Sequence, residues 1–400
     1  MKTKIRIGLL GRVAIAIVLG IGSGFVLPEF AVRAFVTFGS IFSSFLGFII
    51  PLLIVGFVAP AIADIGRRAG AMLLATVLIA YAMTFGSGML AYFTSSTLFP
   101  RLIGSEAYAA SAVASGTDPT PFFTISIEPL MSVMSALVLA FVLGFACAVM
   151  PDRTTVLKQL LGDFRNVINL VIGKAIIPLL PIYIFGIFLS MTVAGTVGPI
   201  LMTFIKIIAV IFVLHVGLLV VQYCVASLFS GYNPFKSLRR MLPAYATALG
   251  TQSSAATIPV TLERTRLIGV SDDVAGFVIP LCATIHMSGS TLKIVSCAVA
   301  LMIVQGIPFD AMMFAGFIAM LGVTIVAAPG VPGGAIMASL GLLSGMLGFS
   351  DADNAMMIAL YIAMDSFGTA CNITGDGAIA QIVDRLFRRR KDAAVECAGA

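Results

Sequence analysis

Apolar residues in this chain fall into long blocks separated by short polar or basic punctuation. The blocks run over about 7–27, 31–62, 67–98, 124–149, 166–196, 199–230, 272–305 and 353–386. Each exceeds the roughly 18 apolar residues that mark a membrane span, so the pattern predicts eight transmembrane helices. Two further apolar stretches resist a continuous helix. Residues 241–262 are interrupted by Ser253, Ser254 and Pro259. Residues 311–348 contain Ala328-Pro329-Gly330-Val331-Pro332-Gly333-Gly334, which no unbroken helix would hold.

The basic residues decide how those two stretches are read. Most of the 24 Lys and Arg lie in six clusters, around Lys2–Arg12, Arg67/Arg68, Arg153–Arg165, Lys236–Arg240, Arg264/Arg266 and Arg385–Lys391. Such clusters belong on the cytoplasmic side. With a cytoplasmic N-terminus, a full span at 241–262 would put Arg264/Arg266 and every later cluster on the wrong side. A hairpin over 241–265 that enters and leaves from the cytoplasm restores the pattern. A second hairpin over 311–348, dipping from outside, returns the C-terminus to the cytoplasm. Kinked full spans at both places would break the charge pattern twice. The predicted fold is therefore an all-α polytopic membrane protein with eight transmembrane helices plus two re-entrant helical hairpins. Each hairpin is followed by a long helix, which makes an inverted repeat, and such paired interruptions point to a transporter's binding site.

The last block carries the costliest residues. At 100° per residue, Asp365, Thr369, Asn372 and Asp376 fall within an arc of roughly 60°. Each Asp at the centre of a membrane helix costs roughly 2.5–3.5 kcal/mol, so a cation, or a substrate carrying one, is expected beside them. The seventh block has a break of its own at Thr284-Ile285-His286-Met287-Ser288-Gly289-Ser290, with Lys293 just beyond it. His286 reads either as a hydrogen-bonded packing residue or as a proton carrier. Lys293 reads as a charge surrogate, a snorkelling lysine or the partner of a carboxylate.

Composition narrows the class further. The chain is 60% hydrophobic and 10% charged, with mean hydropathy +1.09, against about 25% charged residues in soluble domains. The net charge of +6 follows from topology; no basic surface with interleaved aromatics suggests nucleic acid. The six Cys form no Cys-x-x-Cys pair, so neither a disulfide framework nor a zinc site is indicated. The basic start followed by apolar Val13–Val26 reads as a retained first span. An intramembrane hydrolase using Ser253 or Ser254 with His286 lacks a Gly-x-Ser-x-Gly context and leaves the Asp stripe unexplained. The chain reads as a transporter without enzymatic activity and without a cofactor, in the cell membrane with both termini cytoplasmic.

Ser253–Pro259, the His286–Ser290 break, Gly330-Val331-Pro332-Gly333, and Asp365 followed by Asn372-Ile373-Thr374-Gly375-Asp376 together resemble the dicarboxylate/amino-acid:cation symporter family of glutamate transporter homologues. The match covers about 237–386 by motif and the first 230 residues by span pattern alone. The resemblance implies a homotrimer whose scaffold helices (1–65 and 124–198) hold a mobile transport domain. That domain would comprise the helix and outer loop at 66–123 and the hairpin core at 199–386, with 387–400 as a basic tail. It implies that Asp365 receives a substrate's amino group, that Asn372, Thr369, Ser253 and Ser254 hold its α-carboxylate, and that Val331 offers a carbonyl. Ser290 and Ala335 complete the substrate set. It further implies one sodium site at Asp376 with the carbonyls of Cys282 and Asn372, and another at Thr284, Met287 and Ala328.

The departures from the family are informative. Gly368 stands where acidic-substrate members have an Arg, and Gln252 replaces an Arg that some members carry on the first hairpin. Arg makes bidentate carboxylate contacts that Gly cannot replace, so aspartate and glutamate are expected to be poor substrates. Gly368 is also expected to leave room for a larger neutral side chain. His286 and Ser288 replace an Asn and an Asp that help form a third sodium site, and the third span aligns Thr76, Ile79 and Ala80 with its hydroxyls. That site is expected to be absent, with His286 or Lys293 in its place. The expected activity is cation-coupled symport of a neutral amino acid by an elevator movement, with sodium favoured as the coupling ion. A proton-coupled carrier of amino acids or other organic anions is the alternative, and an ion channel the alternative from another class.

Overall fold

The structure is a computed structural model that describes residues 9–65, 71–103, 119–150, 153–195, 197–326 and 333–398. The described residues are helical throughout, apart from turns, caps and a non-helical stretch at 119–132. In chain order the first helices are α1 (Leu9–Gly24), α2 (Glu29–Ile65), α3 (Ala71–Leu102) and α4 (Val133–Val149). Then come α5 (Thr155–Val171), a π-helical turn at Ile172–Ile176, α6 (Ile177–Val193) and α7 (Val197–Ser230). The C-terminal half contains α8 (Pro234–Thr251), α9 (Ser254–Leu267), α10 (Asp272–Ile285) and α11 (Ser288–Gln305). It ends with α12 (Ala311–Val326), α13 (Gly334–Leu347), α14 (Asp351–Ala363) and α15 (Asp365–Ala398).

Most apolar blocks become helices near the expected boundaries. Among the described residues, the stretches Glu29–Pro60, Ala71–Leu102, Thr155–Val193, Leu201–Ser230 and Asp272–Gln305 are long and apolar enough to cross a membrane. The fifth block extends back to Thr155 and carries the π-turn where Pro178 begins to deny the backbone its regular donors. The fourth block yields a shorter helix than its apolar run suggests. Residues 119–132 are spent fastening to α2: the Phe122 N–H donates to Thr37 Oγ1 (2.8 Å), and the Arg33 guanidinium lies 4.5 Å from the centre of the Phe122 ring.

The C-terminal half repeats one element order twice. A helix pair (α8–α9, then α12–α13) is followed by a long helix broken near its middle (α10–α11, then α14–α15). The first pair turns at Gln252, whose φ of 54° is the left-handed value that ends α8. Ser253 then caps α9 by accepting from the Ala256 N–H. The turn thus comes slightly before the predicted Ser253–Pro259 tip, and Ser254–Pro259 form the first turns of the returning helix. The tip between α12 and α13, including Ala328 and Val331, lies outside the described residues.

The eighth apolar block, expected as one helix, is two helices inclined by 63° at Met364. Asp365 therefore opens α15, where the helix dipole favours a carboxylate. The helices on either side of the breaks form the interior. Every residue of α11 from Ser288 to Val304 is buried, and so is most of α15 through Asp376, with Phe367 and Thr369 partly exposed. The two approach so closely at Gly289 that a Cβ there would lie 2.7 Å from Cys371 Cβ and 2.8 Å from the Gly368 carbonyl oxygen. Sequence blocks that looked like lipid-spanning helices are thus enclosed by protein along much of their length.

At the start of α14, Ser350 and Asp353 cap one another reciprocally. Ser350→Ala should lower stability by about 1 kcal/mol, read as a fall in the thermal midpoint of the purified protein with substrate binding unchanged.

Candidate functional site

The break between α10 and α11 is held open by side chains from three other helices. Asn372 Oδ1 accepts from the N–H groups of Gly289 (2.8 Å) and Ser290 (3.3 Å), satisfying the free donors that begin α11. Its Nδ2 donates to Ser290 Oγ at 3.2 Å and points at Met287 Sδ at 3.4 Å. His215 on α7 bonds the Gly289 carbonyl through Nε2 (3.0 Å). From α3, Ser87 Oγ donates to the Ser288 carbonyl (2.9 Å), and Thr84 Oγ1 accepts from the Met287 N–H (3.4 Å). The α3 hydroxyls facing the break are therefore those of Thr84 and Ser87. Thr76 instead bonds the carbonyl of Met72 on its own helix.

Beside this break lies a cavity of about 130 Å³. Gln252 and Ser254 line it from the first helix pair, Thr284, Met287 and Ser290 from the α10–α11 break, and Ala335 from α13. Asp365, Thr369 and Asn372 line it from α15. The structure thus gathers on one wall nine of the residues singled out from the sequence. Ala255, Ala283, Val326 and Tyr361 complete the lining.

The remaining singled-out residues stand elsewhere. Ser253 serves as the cap of α9. The Cys282 carbonyl accepts the His286 N–H at the end of α10 (2.9 Å). Asp376 is fully buried away from the cavity, and its Oδ1 meets His286 Nδ1 at 2.9 Å. A carboxylate can only accept, so the shared proton sits on Nδ1. On the far side of the ring, Gln222 Nε2 lies 3.4 Å from His286 Nε2 and donates to Ser288 Oγ at 2.9 Å. Asp376 Oδ2 and Gln222 Oε1 are buried with no hydrogen-bond partner among the described residues.

Lys293 is fully buried on α11, with Nζ 3.0 Å from Asp365 Oδ1. The ammonium also reaches the Met364 carbonyl (3.5 Å) and stands 3.5 Å from the centre of the Tyr361 ring, a cation–π contact. The second oxygen of Asp365 accepts from the Gly333 N–H at 2.8 Å. Gly368 is not on the cavity wall. A Cβ there would lie 2.6 Å from Lys293 Nζ and 2.7 Å from its Cε. The space expected to admit a larger substrate side chain is filled by the end of Lys293, and this corrects the reading of Gly368 as a substrate contact.

The sequence reading missed Tyr361 and Gln222. Tyr361 precedes Asp365 by four residues, and its hydroxyl donates to Ser290 Oγ at 3.1 Å. Gln222 had a visible signal: it follows His215 by seven residues, two helical turns, so both polar side chains share one face of an apolar span.

Gly368→Ala should destabilise the protein by about 1–3 kcal/mol, the usual range for overpacking a filled interior. The loss should shrink when Lys293 is replaced by Ala as well. A double-mutant cycle on thermal stability measures this; equal losses in the two backgrounds would show that the glycine and the lysine are independent.

The matches to known proteins fit this geometry. The model of the sodium:dicarboxylate symporter family matches residues 9–386. Serine/threonine transporters named SstT, from Acinetobacter baumannii strains that include AYE and AB307-0294, are each 26% identical over 402 residues. That alignment spans 96% of this chain and 98% of each relative. With helices broken beside Ser253 and at His286–Met287, and a family match over nearly its whole length, the chain belongs to the sodium:dicarboxylate symporter family and is a membrane transporter, not an enzyme.

Proposed function

We propose that this chain is a cation-coupled symporter of a small neutral amino acid. The observation that carries the reading is one cavity in which Ser254, Thr369 and Asn372 line the wall with Asp365, and no Lys or Arg stands among the described lining residues. The hydroxyls, the amide and the N-terminal backbone donors of α9 suit one carboxylate. The absence of a lining guanidinium disfavours a second carboxylate. A volume of about 130 Å³ suits a solute of few heavy atoms. The printed name of the relatives, serine/threonine transporter, supports a small hydroxylated amino acid.

In this reading α8–α9 and α12–α13 are re-entrant hairpins within eight spans of the cell (inner or plasma) membrane, with both termini cytoplasmic. The hairpins and the last two broken helices move as one body against a trimeric scaffold. The repeated order of helix pair and broken helix supports a closed, alternating site over an open channel. Sodium is the first coupling ion, because Asp376 Oδ2 is a buried carboxylate oxygen left without a protein partner. Protons are the second reading, favoured by the His286–Asp376 contact at 2.9 Å. A half-turn of the Gln222 amide would offer Oε1 to a protonated Nε2, so the ring could hold a second proton between two acceptors.

Proteoliposome uptake of radiolabelled serine, alanine and aspartate under separate sodium and proton gradients tests both parts. Serine or alanine should accumulate in a saturable, gradient-dependent way, with aspartate at least tenfold less effective, and Asn372→Ala should lower uptake tenfold or more. Strong aspartate accumulation would overturn the substrate class. Accumulation driven by protons, indifferent to sodium and abolished by His286→Asn, would replace sodium as the coupling ion.

A further inference from the structure

The ammonium that a substrate would bring to Asp365 is already present in the protein. We propose that Lys293 is a built-in substitute for a substrate amino group, so that the cavity accepts small monocarboxylates without an amine, 2-hydroxy acids foremost. The proposal rests on the reading of this cavity as the substrate site and widens the chemical class that the site accepts beyond amino acids.

Three observations carry it. First, both oxygens of Asp365 are engaged by the protein, Oδ1 by Lys293 Nζ at 3.0 Å and Oδ2 by the Gly333 N–H at 2.8 Å. The side chain of Asp365 keeps 11% exposure toward the cavity, while that of Lys293 has none. The pair therefore presents the cavity with a carboxylate edge whose charge is cancelled from behind. Second, Lys293 has nowhere else to go. It is enclosed by the Tyr361 ring, the Met364 carbonyl and the bare Cα of Gly368. A tethered ammonium competes with a free one at high effective concentration. Displacing it would strand a buried charge without its partner. Third, the carbonyl of Met364 and the face of Tyr361, which could also receive a cation, are occupied by the same ammonium.

What remains at the cavity edge of Asp365 is acceptor capacity without net charge. A hydroxyl answers that with one neutral hydrogen bond, while Ser254, Thr369 and Asn372 hold the carboxylate. An α-ammonium would enter a wall whose only nearby anion is already paired. Because Lys293 is walled off, it cannot receive a second carboxylate either, which restricts the class to monocarboxylates.

The test is isothermal titration calorimetry on the purified full-length protein, with sodium present, using two matched pairs: L-lactate with L-alanine, and L-glycerate with L-serine. Each pair differs in a hydroxyl against an amine. The wild type should bind the hydroxy acid as tightly as the amino acid or more tightly. Lys293→Met frees Asp365 and should move the ratio at least tenfold toward the amino acid. Since that variant leaves a buried carboxylate half-paired, Lys293→Met/Asp365→Asn is the neutral control, and it should keep hydroxy-acid binding without gaining amino-acid affinity. Hydroxy acids bound more than tenfold more weakly than amino acids by the wild type, or a ratio unmoved by Lys293→Met, would overturn the proposal. Amine-dependent binding that Asn372→Ala abolishes would remove the Lys293 role and leave the cavity reading intact. No binding of either class, or binding indifferent to both Ser254→Ala and Asn372→Ala, would remove the cavity reading and the proposal together.

Discussion

The centre of this protein depends on a salt bridge whose ammonium is sealed from water. Lys293 and Asp365 meet at 3.0 Å with the ammonium wholly enclosed. Either charge alone would be expelled from an apolar interior or neutralised, and removing one partner from such a pair usually costs about 3–5 kcal/mol. A second pair, His286 with Asp376, lies about three helical turns further along α15. Asp365 and Asp376 of α15 therefore find partners inside the protein, on the same broken segment of α10–α11. Salt in the surrounding solution has little purchase on such contacts, because screening acts on exposed charges far more than on buried ones.

Holding these charges requires breaks in the helices that carry them. An unbroken helix uses its own backbone donors and acceptors and offers nothing to a neighbour. The interruptions at His286–Met287 and at Met364 expose N–H and C=O groups that the surrounding side chains then satisfy. Asn372 spends its carbonyl oxygen on the start of α11, His215 bonds the Gly289 carbonyl, and Asp365 binds the N–H of Gly333 at the start of α13. The result is a knot of mutual caps joining α3, α7, α11, α13 and α15. The small cavity is the one side of this knot that the described residues leave open, and it is bounded by groups that already hold the fold together. Binding and stability therefore draw on the same residues.

Much of this was legible in the sequence because the physics is one-dimensional there. Apolar block length gave most of the helices. The clash between the basic clusters and the 241–262 and 311–348 stretches marked two segments that are each a helix pair or flank a gap between helices. The cost of Asp365 and Asp376, with their shared face, pointed to the cavity and to a nearby cation. What the sequence hid was the source of that cation. Lys293 lies 72 positions before Asp365 and Gln222 lies 66 before Ser288, and no periodicity relates such pairs. The bend at Met364 was also invisible, since neither proline nor glycine occupies that position.

Gly368 shows why an absent side chain is a poor guide to an empty space. Read alone, a glycine where relatives carry an arginine suggests a roomier, uncharged substrate pocket. In three dimensions the glycine and Lys293 are one arrangement: the backbone at 368 has no Cβ, and the lysine end occupies the vacated volume within 2.6 Å of where that atom would be. Lys293 supplies the positive charge in this corner of the protein, and it stands behind Asp365 rather than on the cavity wall. A charge in the wall would attract a second substrate carboxylate, whereas a charge behind the aspartate cancels the demand for an amine. The same formal charge, displaced by the length of a lysine side chain, thus selects for a different end of the substrate.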